Sequence, residues 1–134
     1  QLTDLKDAPT EVGGSFNCQF NNLSSLEGAP TTVGGDFNCQ FNNLRSLEGA
    51  PKKVGRDFIC RSNYLTSLEG ISVVKSIANV SAYHQKNGVN FTVEEIEAAI
   101  QDSSDRLKLE KLPESTKLSQ ADILKSFGKI IKNK

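Results

Sequence analysis

A 21-residue repeat constrains the fold of this chain more than any other feature of its sequence. The segments that begin at Leu2, Leu23 and Leu44 share one template, whose clearest copy is LSSLEGAPTTVGGDFNCQFNN. The segment that begins at Leu65 keeps only the opening LTSLEG. A unit this short cannot bury its apolar side chains alone, so the units must stack on one another. We therefore expect repeats at residues 2–22, 23–43 and 44–64, and a degenerate fourth repeat at 65–85.

Each repeat contains the pattern of a short strand. Phe37 and Cys39 alternate with Asp36, Asn38 and Gln40, and this period of two is typical of a strand with one buried face. The letters EGAP mark a turn between repeats, and GG marks a bend just before the strand. Stacking then makes neighbouring strands parallel and builds two ladders, one of Phe16, Phe37 and Phe58 and one of Cys18, Cys39 and Cys60.

The run F-x-C-x-x-N-x-L-x-x-L at Phe37–Leu47 resembles a leucine-rich repeat, L-x-L-x-x-N-x-L, with phenylalanine and cysteine at two leucine positions. The longer template is also similar to short repeats of bacterial and tailed-phage proteins. The resemblance covers residues 2–70. It implies a right-handed, leucine-rich-repeat-like β-solenoid over residues 1–86, with short parallel strands and few or no convex helices. It also implies that one asparagine of each repeat bonds to the backbone of the turn after the strand: Asn21, Asn42 and Asn63.

The fourth repeat aligns with the third if one residue is deleted. This alignment places Val74 at the position of Val54 and Val80 at the position of Cys60. Ala78 and Val80 are then expected to point inward on a last, irregular strand, because terminal repeats are commonly atypical.

A C-terminal α-helical segment, over residues 87–134, is expected to cap the last repeat. Thr92 and Glu95 have the spacing of a capping box, and the flanking Phe91 and Ile96 have the spacing of a hydrophobic staple. We predict that this first helix ends near residue 101 and is followed by the polar connection Ser103-Ser104-Asp105.

A second helix is predicted near the end of the chain, with Ser119 as its cap. Its apolar side would consist of Ile123, Leu124, Phe127, Ile130 and Ile131. Lysines are frequent over residues 117–134, and a solvated helix face explains them more simply than an acidic or nucleic-acid partner.

Composition and motifs argue against an enzyme. Lys plus Arg and Asp plus Glu both number 16, so the net charge favours neither a nucleic-acid nor a membrane partner. No apolar run approaches the roughly 18 residues of a membrane span. The stacked cysteines suit a core better than a zinc site, and the single histidine, His84, lacks the motif of a catalytic triad. We expect no catalytic residue, no cofactor and no metal.

The candidate binding surface is the strand face that points away from the core. Its side chains form columns, because each strand position recurs once per repeat. Two phenylalanines beside the columns would form an exposed apolar strip or would pack under the following loop. The predicted protein-binding residues are Asn17, Gln19, Phe20, Asp36, Asn38, Gln40, Phe41, Asp57, Ile59 and Arg61.

These features favour a non-enzymatic protein–protein binding or assembly module. The favoured version is a structural component of a phage particle, because of the resemblance to phage repeats and because a processed protein can begin at Gln1 without methionine. The alternative is the recognition segment of a larger bacterial effector or enzyme. The expected location is the bacterial cytoplasm or a phage particle. The first strand has an open edge, which predicts further repeats, a cap or a partner on that side.

Overall fold

The computed structural model describes residues 2–112, and its first sheet has three parallel strands. These are β1 (Glu11–Val12), β3 (Thr32–Val33) and β5 (Lys53–Val54). Each valine pairs with the valine one repeat later, and a bridge from Lys53 to Val73 continues the pairing into the fourth repeat. The sequence analysis did not predict this sheet, because each of its strands has a single apolar residue, the valine, between turn residues, so that no alternating pattern marks it.

The second sheet has four parallel strands in the order in which the repeats follow each other. These are β2 (Phe16–Asn17), β4 (Phe37–Asn38), β6 (Phe58–Ile59) and β7 (Val80–Ser81). Phe16 pairs with Phe37, which in turn pairs with Phe58, so each strand lies one repeat away from its neighbour. The predicted short parallel strands are confirmed.

The core lies between the two sheets and consists of ladders of identical side chains. The ring centroids of Phe16 and Phe37 are 5.9 Å apart, and those of Phe37 and Phe58 are 5.3 Å apart. The three cysteines are buried in the same core, as predicted, together with a leucine pair from each of repeats two to four. These ladders form because strand pairing places equivalent positions at the spacing of neighbouring strands, about 4.8 Å.

A ladder of amide side chains provides hydrogen-bond partners for the buried backbone groups of the turns between repeats. Asn42 is fully buried; its Nδ2 donates to the carbonyls of Cys18 and Cys39, and its Oδ1 accepts from the amide of Leu23. Asn63 repeats these contacts one level further along, and Asn21 makes the corresponding bonds in the first repeat. The predicted role of the three asparagines is confirmed.

The fourth repeat corrects the predicted alignment. Val74 does stand at the level of Val54, because Val73 bridges Lys53. Val80, however, pairs with Phe58 and therefore occupies the phenylalanine position rather than the position of Cys60. The cause is a 3₁₀ turn, Ile77–Asn79, which adds residues between the two strands of this repeat.

Two further residues follow from the corrected register. Ala82, which is 3% exposed, occupies the cysteine position, whereas Ala78 is exposed and does not point inward as predicted. Gln85 then continues the asparagine ladder. Its Nε2 donates to the carbonyls of Cys60 and Ala82, and its Oε1 accepts from the amides of Asn63 and Leu65.

The helix α1 (Val93–Glu110) covers the end of the repeats. Its capping box is confirmed, since Thr92 Oγ1 accepts from the amide of Glu95 and the Glu95 carboxylate accepts from the amide of Thr92. Four partly buried residues around its start pack against the core: Phe91, Ile96, Ala99 and Ile100.

The predicted end of this helix near residue 101 is wrong. The helix continues through Ser103-Ser104-Asp105, and three ion pairs lie along the added turns. Arg106 bonds to Asp102 within the helix and pairs with Glu69 of the fourth repeat, and Glu110 pairs with Lys52. All three ion pairs are exposed, so each contributes little. Ser103 and Leu107 are partly buried on the side that lines a cleft with the third and fourth repeats, and this packing favours the added turns. The predicted second helix lies outside the described residues.

Candidate protein-binding surface

The outer face of the second sheet carries the predicted columns of polar side chains. In the first column each side chain bonds to the next repeat. The amide of Asp36 donates to Ser15 Oγ at 2.9 Å, and the amide of Asp57 donates to Asp36 Oδ1 at 2.9 Å. Asn79 Nδ2 then donates to Asp57 Oδ1. The column therefore also holds neighbouring repeats in register.

The middle column contains Asn17, Asn38 and Ile59. The Oδ1 atoms of Asn17 and Asn38 accept from the amides of Gln19 and Gln40, two residues further along. These local bonds fix the rotamers of both asparagines and close the strand after two residues. The amide group of Asn17 remains exposed on the face, and Asn38 and Ile59 are partly exposed.

The third column is a continuous polar ladder of Gln19, Gln40, Arg61 and Tyr83. Gln40 Nε2 donates to Gln19 Oε1 at 2.6 Å, and Arg61 Nε donates to Gln40 Oε1. Arg61 Nη1 donates to the Tyr83 hydroxyl at 3.0 Å, and its guanidinium carbon lies 5.6 Å from the centroid of the Tyr83 ring.

This polar ladder changes the list of accessible residues. Gln40 is only 7% exposed, so it is a buried link of the ladder and not the open side chain that was predicted. Tyr83, which was not predicted, is 48% exposed at the end of the ladder. Hydrogen bonds from Ser81 and Arg61 lower the pKa of the Tyr83 hydroxyl. The motif A-x-x-Q in Ala82–Gln85, which matches C-x-x-N in Cys60–Asn63, would have located Tyr83 from the sequence.

Phe20 and Phe41 form an exposed aromatic pair beside the polar ladder. Their rings are stacked, with centroids 4.6 Å apart and planes 9° apart. The exposed fractions are 58% for Phe20 and 39% for Phe41, so the rings do not pack under the following loop. The pair supplies the predicted apolar strip.

The backbone of this aromatic pair is left-handed. Phe20 has a φ of 56° and Phe41 a φ of 55°, and the equivalent residues Ser62 and His84 have φ values of 58° and 56°. Left-handed backbone disfavours any side chain with a Cβ and is tolerated best by glycine and asparagine. The turn of every repeat imposes this conformation, and a phenylalanine there, twice in succession, is less favourable than the glycine or asparagine that the conformation tolerates best.

The three buried cysteine thiols are protonated and unreactive at neutral pH. Burial raises the pKa of Cys18 and Cys60 to about 12 and holds the pKa of Cys39 well above its usual range. The reactive species of cysteine is the thiolate. The three thiols therefore remain protonated at neutral pH and pack as apolar groups.

These shifted pKa values predict a loss of stability at alkaline pH. The thiols of the unfolded chain lose their protons above a pH of about 8.5, whereas those of the folded chain keep them to a pH of about 12. The stabilisation from the buried thiols is therefore complete below about pH 8.5 and is lost as the pH rises above that value. Each thiol contributes about 1.4 kcal/mol per pH unit in this window. Between pH 8 and pH 10, the free energy of unfolding of the wild type, measured in urea, should therefore fall by about 2 kcal/mol more than that of Cys39→Ala. Equal losses would contradict the assignment.

A groove of about 680 Å³ lies along the first sheet. Its lining includes Val33, Val54, Gly34 and Gly55, with Glu11, Lys53 and Lys75 among the residues at its margin. The lining brings no cysteine, histidine or serine together with a carboxylate, which is the arrangement that nucleophilic catalysis uses.

Residues 2–112 contain neither a metal-binding cluster nor a membrane-spanning helix. No group of three or more histidine, cysteine or acidic side chains is placed to hold a metal ion. Over the same residues, no helix combines the length and apolar composition needed to cross a membrane. The lysines at 117–134 lie outside the described residues.

Comparison with known proteins gives no match: no family model, no curated protein and no solved structure is significantly similar to this chain. The geometry of the surface is therefore the basis for the function proposed below.

Proposed function

We propose that this protein is a leucine-rich-repeat-like β-solenoid that acts as a non-enzymatic protein-binding or assembly module. The observation that carries the proposal is the stacked, exposed pair Phe20 and Phe41 on left-handed backbone. The left-handed turn recurs in all four repeats, but only the first two place an aromatic ring on it, and exposed apolar patches usually mark contact with another surface. The combination of ring and turn, repeated at the same position of two successive repeats, is what a contact surface for another protein would contain.

The surroundings of the aromatic pair favour a protein partner of mixed polarity. Aromatic rings and arginine are enriched at the energetic centres of protein interfaces. Here the pair lies beside the polar ladder, which ends in Arg61 and the exposed Tyr83. Gln40 is fixed by bonds on both sides, so the ladder loses little side-chain entropy when a partner binds. An apolar group of the partner would cover the rings while a hydrogen-bond acceptor meets Arg61.

Replacing both rings by asparagine tests the proposal. In Phe20→Asn/Phe41→Asn, relief of the left-handed strain offsets the lost stacking, because asparagine tolerates this backbone and a stacked pair contributes about 0.5–1.5 kcal/mol. We expect the free energy of unfolding to change by less than about 1 kcal/mol, while binding to the native partner falls at least tenfold. Immobilised wild-type and variant protein, exposed to purified phage particles and to lysate of the source bacterium, would be compared by quantitative mass spectrometry.

The matched control is His84→Asn, which makes the same backbone-compatible change at an exposed position of the fourth repeat and leaves the aromatic pair in place. This control should retain the partner. Loss of several kcal/mol of stability in the double variant would show that the rings belong to the core instead. Equal capture of the same proteins by wild type and double variant would overturn the proposed binding role of the pair.

The favoured biological version is a structural component of a phage particle, and it is supported by the resemblance of the repeat template to tailed-phage repeats. Antibody against this protein should label purified particles, and the native polypeptide should carry no catalytic domain. The second candidate is the recognition segment of a larger bacterial effector or enzyme. A native polypeptide with an added catalytic domain, and no labelling of particles, would favour that candidate.

A further inference from the structure

The outer face of the first sheet carries a column of three side chains whose charge changes sign from one end to the other. Glu11 pairs with Thr32, and Thr32 pairs with Lys53, so the three lie one repeat apart. The next residues of the second and third repeats, Val33 and Val54, are buried, and strand alternation therefore directs the column outward. The charge of the column is negative at the first repeat, zero at the second and positive at the third.

A trough without side chains runs beside this column. Gly13, Gly34 and Gly55 each follow a member of the column by two residues and line the groove of about 680 Å³ together with it. Two packed sheets usually lie about 10 Å apart, at a distance that their side chains set. The glycine trough offers space in which long side chains of the column can lie flat, so a second sheet can approach this face closely.

The two charged members of the column have no ionic partner in the part of the chain that the structure describes. Glu11 and Lys53 are exposed, and neither forms an ion pair with another residue of 2–112. Two repeats separate them, which is about 9.6 Å at the spacing of neighbouring strands. A salt bridge requires about 4 Å or less, so both charges are available to another molecule.

We infer that this face of the first sheet binds the same face of a second copy of the chain, in a two-fold symmetric dimer. The symmetry axis lies between the two sheets, parallel to the strands and level with Thr32. It reverses the order of the repeats in the second copy, so Glu11 of each copy faces Lys53 of the other and Thr32 faces its own equivalent. A two-fold interface requires a self-complementary surface of this kind.

Charge complementarity identifies a second copy as the occupant of the groove. Opposite charges stand at equal distances on either side of Thr32, so one surface supplies both signs. Packing with the repeats in the same order would place Glu11 against Glu11 and Lys53 against Lys53, and this repulsion selects the reversed order. The chain has no net charge, so two copies do not repel each other at long range.

The dimer leaves the other sheet of each copy free. The core lies between the two sheets, so the outer face of the second sheet, with Phe20 and Phe41 beside it, points away from the dimer interface. One consequence rests on the proposed function: the dimer presents two protein-binding surfaces. Such a bivalent module binds a partner with repeated sites more tightly than one copy does, because the second contact is intramolecular.

Sedimentation velocity of the complete chain tests the inference. The face spans only four strands, so we expect a weak dimer with a Kd of about 10–100 µM, measured at protein concentrations from about 5 to about 500 µM. Glu11→Lys and Lys53→Glu each place like charges opposite each other twice per dimer. Each variant alone should therefore associate at least about tenfold more weakly than the wild type.

An equimolar mixture of Glu11→Lys and Lys53→Glu is the deciding measurement. In the mixed dimer both pairs again join opposite charges, so association should recover to within about threefold of the wild type. The matched control is Glu27→Lys, which makes the same charge change at an exposed turn outside the groove and should leave the Kd within about twofold. Circular dichroism should show that all variants remain folded, because the substituted side chains are exposed.

Two results would overturn the inference. A wild type that stays monomeric up to about 500 µM would leave the groove to a different protein or to a small molecule. A mixture that associates no better than its two components would show that Glu11 and Lys53 do not face each other across an interface. Neither result affects the proposed role of Phe20 and Phe41, which is measured by partner capture.

Discussion

Gly55→Ala is expected to lower the free energy of unfolding by about 3 kcal/mol or more, as a severe case of overpacking. A Cβ at Gly55 would lie 2.1 Å from the carbonyl oxygen of Gly34 and 2.9 Å from its carbonyl carbon. Both atoms belong to the backbone of the adjacent repeat, so relief requires that the repeats move apart and that β3 and β5 lose register. Alanine's own conformational preference is not the cause, because Gly55 is not left-handed.

Equilibrium unfolding in urea, followed by far-UV circular dichroism, would measure this loss. The matched control is Gly13→Ala, at the same template position, where an added Cβ meets nothing within 4 Å. Its free energy of unfolding should remain within about 1 kcal/mol of the wild type. Similar losses in both variants would show that the glycine is needed for local bending and not for close stacking.

Asn42→Leu is expected to destabilise the protein by about 3–5 kcal/mol, although leucine is similar in size. Asn42 is fully buried and bonds to the amide of Leu23 and to the carbonyls of Cys18 and Cys39. Leucine would leave these backbone groups without partners in the core, and each unsatisfied buried group costs about 1–3 kcal/mol. The loss would extend over two repeats, because Asn42 bonds to both.

The control for this substitution is Asn43→Leu, in which the neighbouring side chain is exposed. The amide of Asn43 bonds to the carbonyl of Leu23 through the backbone, and this bond survives the change. We expect Asn43→Leu to cost less than about 1 kcal/mol. Hydrogen exchange adds a local measurement, since the amide of Leu23 should lose protection in Asn42→Leu alone. Unchanged protection would contradict the assigned hydrogen bond.

The regular repeats could be predicted because the periodicity of the sequence repeats the environment of every residue. Once Phe16 and Phe37 are in register, the positions of the cysteines and asparagines follow from their distance along the chain. The fourth repeat was predicted only in part, since its deletion before Val74 was recognised but its 3₁₀ turn was not. This turn shifts the register of the fourth repeat, and for that reason the sequence analysis did not predict the roles of Gln85 and Tyr83.

The candidate surface was predicted in position but not in all its properties. Alternation along the strand correctly assigns Asn17 and Asp57 to the outer face, where both are exposed. The burial of Gln40 could not be predicted in the same way, because it depends on bonds to Gln19 and Arg61 in two other repeats. The length of α1 likewise depends on contacts with distant residues, such as those that bring Leu107 beside Pro51 and Ile71.

The asparagine bonds were expected from the resemblance to leucine-rich repeats. The sequence by itself determined the unit length, the parallel stacking and the phenylalanine and cysteine ladders. Each of these follows from a short local pattern that recurs every 21 residues. Only the tertiary structure decided where the repeat is interrupted, which outer side chains are accessible and that Phe20 and Phe41 are stacked on left-handed backbone. The physical reason is that backbone strain and side-chain exposure are set by neighbours in adjacent repeats, which the identity of a single residue does not specify.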